Sequence, residues 1–279
     1  MQQQAGSAIA KPTPSSTTVR EISAAGARFT VHCSDDGETR FWAKFEAGTW
    51  EPDTLDIIAR HTGGNVHFFD IGTWIGPTAL FAAAHGSTVT AVEADPFALA
   101  SLRRNIALNP ALAGSIEVVD RALSLTPGRI RFGSRRKGGD SMSSLVHDNM
   151  QTAWEVETIA PEQLASHCTS GKTAFLKIDI EGGEYIILDE ADALFNLPLS
   201  GVHLSLHPQM LLGETAGLSR LSRWLQAARV TARVFRRLGH MRISQSDHEP
   251  SSGLRLVRWL APLGLCLWPL KGSWLFEPR

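Results

Sequence analysis

One stretch limits what this chain can fold into: His67-Phe68-Phe69-Asp70-Ile71-Gly72-Thr73-Trp74-Ile75-Gly76. An apolar run ends on an acid, turns through two glycines and enters Pro77-Thr78-Ala79-Leu80-Phe81-Ala82-Ala83-Ala84, which reads as a helix. Strand, glycine turn and helix in that order bring main chain close to a nucleotide-like ligand in an open α/β sheet. Glycine suits such a turn because it accepts positive φ and because a Cβ would block the ligand. The alternation continues downstream. Residues 88–92 are β-branched and apolar and end on Glu93; Pro96 opens a helix with Leu99, Leu102 and Ile106 at helical spacing; residues 115–120 form a third strand. The apolar strand 174–178 runs into Asp179-Ile180-Glu181-Gly182-Gly183-Glu184, repeating the opening design, and residues 202–206 precede His207-Pro208 as a further strand. This order predicts an α/β fold with a mainly parallel sheet and right-handed crossovers.

Around that unit the chain divides into three. Residues 1–27, rich in Gln, Ser, Thr, Ala and Pro over most of their length, have little to bury and read as a disordered tail. Residues 28–65 form a lead-in or cover: a strand over 28–33, a turn at Ser34-Asp35-Asp36-Gly37, and a helix through Leu55, Ile57 and Ile58 that stops near Gly63-Gly64. Residues 66–279 form the main domain. Within it, strands over 129–132 and 154–159 flank a basic, glycine-rich stretch, Ser134-Arg135-Arg136-Lys137-Gly138-Gly139-Asp140, expected to be a mobile loop that could act as a lid or meet an anionic acceptor. Residues 185–195 and 215–228 read as helices, and 230–235 and 273–277 as the last strands. The apolar segment 254–270, with Trp259 and Trp268, suggests extra core or a homodimer contact ahead of a surface that docks on a membrane or lipid-linked acceptor.

The formal charge of −1 gives no steering toward nucleic acid. Three scattered cysteines, Cys33, Cys168 and Cys266, suggest neither a disulfide framework nor a zinc site and fit a cytoplasmic setting. No secretory leader or transmembrane span is expected, since the most apolar segment is broken by Pro262 and Pro269.

Two ligand classes use such a turn. Dinucleotide sites need three closely spaced glycines to cradle a pyrophosphate at a helix N-terminus. Here Thr73 and Trp74 stand between two glycines, and Asp70 at the strand end would repel phosphate. The same acid can face the cationic methionine end of S-adenosylmethionine, so the charge argues for that ligand over NAD. Glu93, ending the next strand, is placed to accept hydrogen bonds from ribose hydroxyls, and Asp120 to meet the adenine.

At this point the sequence resembles the FkbM-type methyltransferases over roughly residues 66–207. The resemblance is carried by the turn from Asp70 to Gly76, by Val92-Glu93-Ala94-Asp95-Pro96, by Asn105-Ile106-Ala107-Leu108-Asn109, and by Arg121-Ala122-Leu123-Ser124. Its most specific piece is Leu176-Lys177-Ile178-Asp179-Ile180-Glu181-Gly182-Gly183-Glu184. Where the family usually has small residues after Gly72, this chain has Thr73-Trp74, and Ser205 stands where an acid or amide is usual. The resemblance implies a Rossmann-like fold with a mainly parallel seven-stranded sheet, helices on both faces and a short N-terminal extension. It also implies methyl transfer from S-adenosylmethionine to a hydroxyl of a sugar, glycan or natural product. Asp70, Gly72, Thr73, Gly76, Glu93, Ala94, Asp120, Arg121 and Asp179 are the expected cofactor contacts. The alternative is a catalytically silent protein that binds the adenosyl ligand.

Methyl transfer from a sulfonium is an in-line displacement, and an alcohol acceptor benefits from a base within hydrogen-bond reach. Asp179 is the first candidate for positioning or deprotonating the acceptor, with Glu181 and Glu184 next and His207 as an alternative base. Lys177, of the same strand parity as Asp179, is expected to pair with it. No His, Asp and Glu set with ligand spacing accompanies these acids along the chain, so no metal is expected.

Overall fold

The computed structural model describes residues 18–134, 138–139, 152–213, 219–245 and 272–279. The segment 254–270, Arg135-Arg136-Lys137 and Cys266 lie outside the described residues.

Two antiparallel strands, β1 (Thr18–Ala24) and β2 (Ala27–Cys33), open the described chain, so residues assigned from composition to the tail are a paired strand instead. Ile22 and Ala24 are buried, giving β1 an apolar face that composition alone hides. Helix α1 (Asp36–Glu46) follows where a turn was expected: the Asp35 carboxylate caps it by accepting from the Glu38 amide at 2.8 Å. Helix α2 (Pro52–His61) leads to β3 (Val66–Ile71), α3 (Pro77–Ala84), β4 (Thr88–Val92), α4 (Pro96–Ala107), α5 (Pro110–Ala113) and β5 (Ile116–Val119). Strands β6 (Ala122–Leu123), β7 (Arg129–Ser134) and β8 (Thr152–Ile159) form a separate small sheet. Then come α6 (Pro161–Ala165), β9 (Thr173–Ile178), two short helices α7 (Glu184–Ile187) and α8 (Asp192–Phe195), β10 (Leu199–Leu206), α9 (Pro208–Gly213), α10 (Arg220–Arg237), β11 (Arg242–Gln245) and β12 (Gly272–Glu277).

The main sheet has seven strands in the order β11-β12-β10-β9-β3-β4-β5. The five from β10 to β5 are parallel, and β12 and β11 add antiparallel pairs at one edge. Strand β3 lies at the reversal of strand order, where open sheets bind ligands beyond the carboxyl ends of their strands. Alternate side chains feed two cores. Phe69, Ile71, Leu176 and Ile178 join Tyr185, Phe235 and Trp274 on one face. Phe68 and Phe175 join Trp42, Phe45 and Phe81 on the other. Residues 230–235, expected as a strand from their β-branched content, continue α10. Ala227, Val230, Thr231 and Val234 share one buried helical stripe there, so tertiary burial outweighs local propensity.

Candidate active site

The turn after β3 is held by its own neighbours. Gly72 has φ +83°, and a Cβ there would stand 1.9 Å from the Asp179 carbonyl oxygen on the adjacent strand. Gly76 has φ +93°, and its Cβ would stand 2.6 Å from Leu102 Cδ1 of α4. Both glycines are therefore demanded by packing within the protein, a different reason from the ligand approach that the sequence suggests; Gly76 lines neither cavity described below. Asn105 of α4 ties the turn to the lead-in: its amide donates to the Ile75 carbonyl at 2.9 Å and its carbonyl accepts from the His32 amide of β2 at 2.8 Å.

Asp70 is fully buried beneath this turn. Its Oδ2 accepts from the hydroxyls of Thr73 at 2.7 Å and Thr78 at 2.6 Å, and its Oδ1 lies 3.2 Å from Lys177 Nζ. The pair follows from register, since Asp70 and Lys177 are directly opposed on β3 and β9. Burial alone would lower the Lys177 pKa, but the charges of Asp70, Asp179 and Glu51 outweigh it and hold the ammonium above its ordinary value. Asp70 thus organises the floor of the site and lines neither cavity, contrary to the expected contact with the ligand's cationic end.

Beyond the strand ends lies a cavity that is partly open to solvent. Ile71, Val92, Ala122, Leu123, Phe132, Ile180 and Ile187 give it apolar walls, while Gly72, Glu93, Ala94, Arg121, Asp179 and Glu181 supply polar or main-chain surface. Glu93 is the best-fixed acid of the group. Its Oε2 accepts from the Trp74 amide and its Oε1 from the Asp95 amide, each at 2.7 Å. Burial pushes its carboxyl up to about 7, against the lowering effect of the main-chain donors around it. Asp120 does not reach this cavity. It lies one residue past β5, with its carboxylate about half exposed and 2.9 Å from Arg103, and the following residues Arg121 to Leu123 supply the wall instead.

A second cavity, also partly open to solvent, adjoins the first and shares Gly72, Trp74, Asp179 and Glu181 with it. Its remaining lining includes Thr73 and Lys177 and comes in part from the lead-in: Phe41 of α1, and Trp50 and Glu51 at the entrance to α2. Phe41 packs edge-on against Trp74 at 4.7 Å and Trp50 at 5.2 Å, making an aromatic wall. Trp74 is further fixed by its indole N–H, which donates to the Gly139 carbonyl at 2.9 Å. Among the described residues, four non-glycine residues have positive φ: Ala25, Glu51 (+39°), Trp74 (+52°) and Glu181 (+51°). Three of the four line this second cavity. Each costs about 1 kcal/mol or more, and such strain gathers where side-chain placement matters. Sequence reasoning expected a lead-in or cover over 28–65 and did not single out Phe41, Trp50 and Glu51 as wall residues, because nothing in their local pattern links them to β3.

Asp179 stands at the junction of the two cavities, with Lys177 Nζ 3.9 Å from its Oδ2. His207 lies behind it. The imidazole Nδ1 is 3.1 Å from Glu184 Oε1, Nε2 is 3.8 Å from Asp179 Oδ1, and the residue lines neither cavity. Burial opposes its protonation, but the hydrogen bond to Glu184 and the charges of Asp179, Glu184 and Glu181 prevail and raise its pKa to about 9. That shift favours the protonated imidazole and weighs against His207 as the base that its position in the sequence suggests. Ser205 is occupied with Ser273, hydroxyl to hydroxyl at 3.1 Å across β10 and β12.

The FkbM methyltransferase domain matches residues 56–199, more than half of the chain. The chain belongs to the FkbM methyltransferase family. Among solved structures it is similar to methyltransferase FkbM from Methylobacillus flagellatus KT, at 15% identity and a TM-score of 0.44, covering 87% of this chain and 55% of that one. The match therefore spans little more than half the length of that relative. A SAM-dependent methyltransferase from Agrobacterium tumefaciens is similar at 11% identity and a TM-score of 0.45, covering 94% and 70% of the two chains. Precorrin-6y C5,15-methyltransferase from Geobacter metallireducens GS-15 is similar at 11% identity and a TM-score of 0.38, covering 81% and 88%. Comparison with curated proteins finds no match. Among the described residues, no helix of this FkbM-family chain is long and apolar enough to cross a membrane.

Proposed function

We propose that this FkbM-family protein is an S-adenosylmethionine-dependent O-methyltransferase acting on a hydroxyl of a sugar, glycan or natural-product acceptor. The observation that carries the reading is the meeting of two cavities of different character at Asp179. The first fits an adenosyl group. Its apolar walls suit a base, and the two Glu93 oxygens, each with one main-chain donor, keep lone pairs for ribose hydroxyls. Arg121 and Ala94 flank that end, while Gly72, Asp179 and Glu181 border the route to the second cavity. When bound, S-adenosylmethionine supplies an electrophilic methyl group.

The second cavity suits a ring-bearing polyol: the faces of Phe41, Trp50 and Trp74 offer stacking surface, and Glu51, Asp179 and Glu181 offer acceptors for hydroxyl groups. Asp179 orients the acceptor hydroxyl and takes its proton as the oxygen becomes bonded to carbon, with Glu181 the second candidate on the same wall. Lys177 and Asp70 keep the floor of this cavity fixed. The acid-rich wall disfavours an anionic acceptor.

The test is turnover on a panel of neutral glycosides and hydroxylated natural products, with S-adenosylhomocysteine release as the readout. At least one acceptor should turn over, with Asp179→Asn lowering kcat by 10²-fold or more, the scale of general-base catalysis. Cofactor binding without turnover on any of them contradicts the reading and leaves a silent ligand-binding protein.

A further inference from the structure

We propose that Asp179, Glu184 and His207 form a divalent-cation site beside the junction of the two cavities. One ligand atom from each residue lies within 4.8 Å of the other two, close enough for a single ion to draw in all three. They come from three places: the end of β9, the first position of α7, and the end of β10. Chain order hides the set, because 23 residues separate Glu184 from His207.

A second observation points to a cation independently of that proximity. Glu184 is fully buried, yet its Oε2 is sealed from solvent and accepts no hydrogen bond among the described residues. Asp179 Oδ1, which faces His207 Nε2 at 3.8 Å, is also sealed and accepts none. Buried carboxylate oxygens left without donors are costly, and a coordinated ion satisfies them at once. A bound metal would take the imidazole nitrogen of His207 in its neutral form, in place of the proton. Two carboxylates and an imidazole favour Mn²⁺, Fe²⁺, Co²⁺ or Zn²⁺ over Ca²⁺ or Mg²⁺, which prefer all-oxygen sets.

The site would place positive charge behind Asp179, on the wall where the acceptor hydroxyl is bound. That role rests on the methyltransferase reading; the binding of the ion does not. The test is therefore run without cofactor or acceptor: Mn²⁺ is titrated into the full chain and followed by electron paramagnetic resonance and calorimetry. We expect saturable binding of one Mn²⁺ per chain. His207→Ala should weaken it at least ten-fold. Glu184→Gln should do the same, while the exposed Glu162→Gln should leave it unchanged. Circular dichroism confirms that each variant is folded. Absence of saturable Mn²⁺ binding to the wild-type chain overturns the site, as does unchanged affinity in His207→Ala. Mn²⁺ binding by a chain that fails to bind S-adenosylhomocysteine overturns the functional reading and leaves the cation site standing.

Discussion

The two cavities share four wall residues but are assembled by different physics. The first is made from the ends of parallel strands and the turns after them: β3 gives Ile71 and Gly72, β4 gives Val92 and Glu93, β9 leads to Asp179. Pairing register places them, so the residues that build the cavity also build the sheet. The second borrows Phe41, Trp50 and Glu51 from the lead-in and holds Glu51, Trp74 and Glu181 in left-handed backbone. Strain and aromatic packing place those residues, and the sheet does not depend on them. Changes on the first side should therefore damage folding and ligand binding together, whereas changes on the second should separate.

The largest effect is expected at Gly72. Gly72→Ala drives a Cβ against the Asp179 carbonyl and requires positive φ from alanine, and should cost above ~4 kcal/mol, in the range of the severest single substitutions. Chemical denaturation reads this directly; a loss under about 1 kcal/mol would mean that β3 and β9 can separate at little cost. Asp70→Asn comes next. It leaves the buried Lys177 ammonium without its nearest counter-charge and should cost about 3 kcal/mol. On the acceptor side, Trp50→Ala should raise acceptor KM about ten-fold, equivalent to 1.4 kcal/mol, while the Kd for S-adenosylhomocysteine stays within about two-fold. A matching loss of cofactor affinity would erase the distinction between the cavities.

The smallest effect is in pH. The Glu93 carboxyl titrates near 7, so lowering the pH from 8 to 6 replaces a hydrogen-bond acceptor with a protonated group. Cofactor affinity should fall by about three-fold across that range, and Glu93→Gln should flatten the profile. For folding the sign is opposite: a carboxyl raised from its ordinary value opposes folding when ionised, so Glu93 contributes a gain in stability as pH falls from 7 toward 4.5.

What the sequence makes legible follows the same division. The strand, glycine turn and helix alternation places β3, β4, β5 and β9 and brings Gly72, Glu93 and Asp179 to one edge, because a parallel sheet turns sequence order into geometry. Side-chain direction is less readable: Asp70 turns into the floor toward Lys177, and Asp120 turns out to Arg103. The glycines of the turn answer to the protein itself, since the groups that a Cβ would meet at Gly72 and Gly76 belong to Asp179 and Leu102. Strand β1 and helix α1 escape composition-based reading because each is stabilised by a long-range face, Ile22 in one and Trp42 and Phe45 in the other. Left-handed Glu51, Trp74 and Glu181 leave no signature, because the residue types give no hint of positive φ. The convergence of Asp179, Glu184 and His207 is a product of strand adjacency and is equally invisible along the chain.

The most direct test of the account is a calorimetric titration of S-adenosylhomocysteine into the wild-type chain, Glu93→Ala and Trp50→Ala. The account predicts binding to the wild type, a loss of about ten-fold or more in Glu93→Ala, and near wild-type affinity in Trp50→Ala. No binding to the folded wild-type chain, or an affinity that follows Trp50 and ignores Glu93, would contradict it.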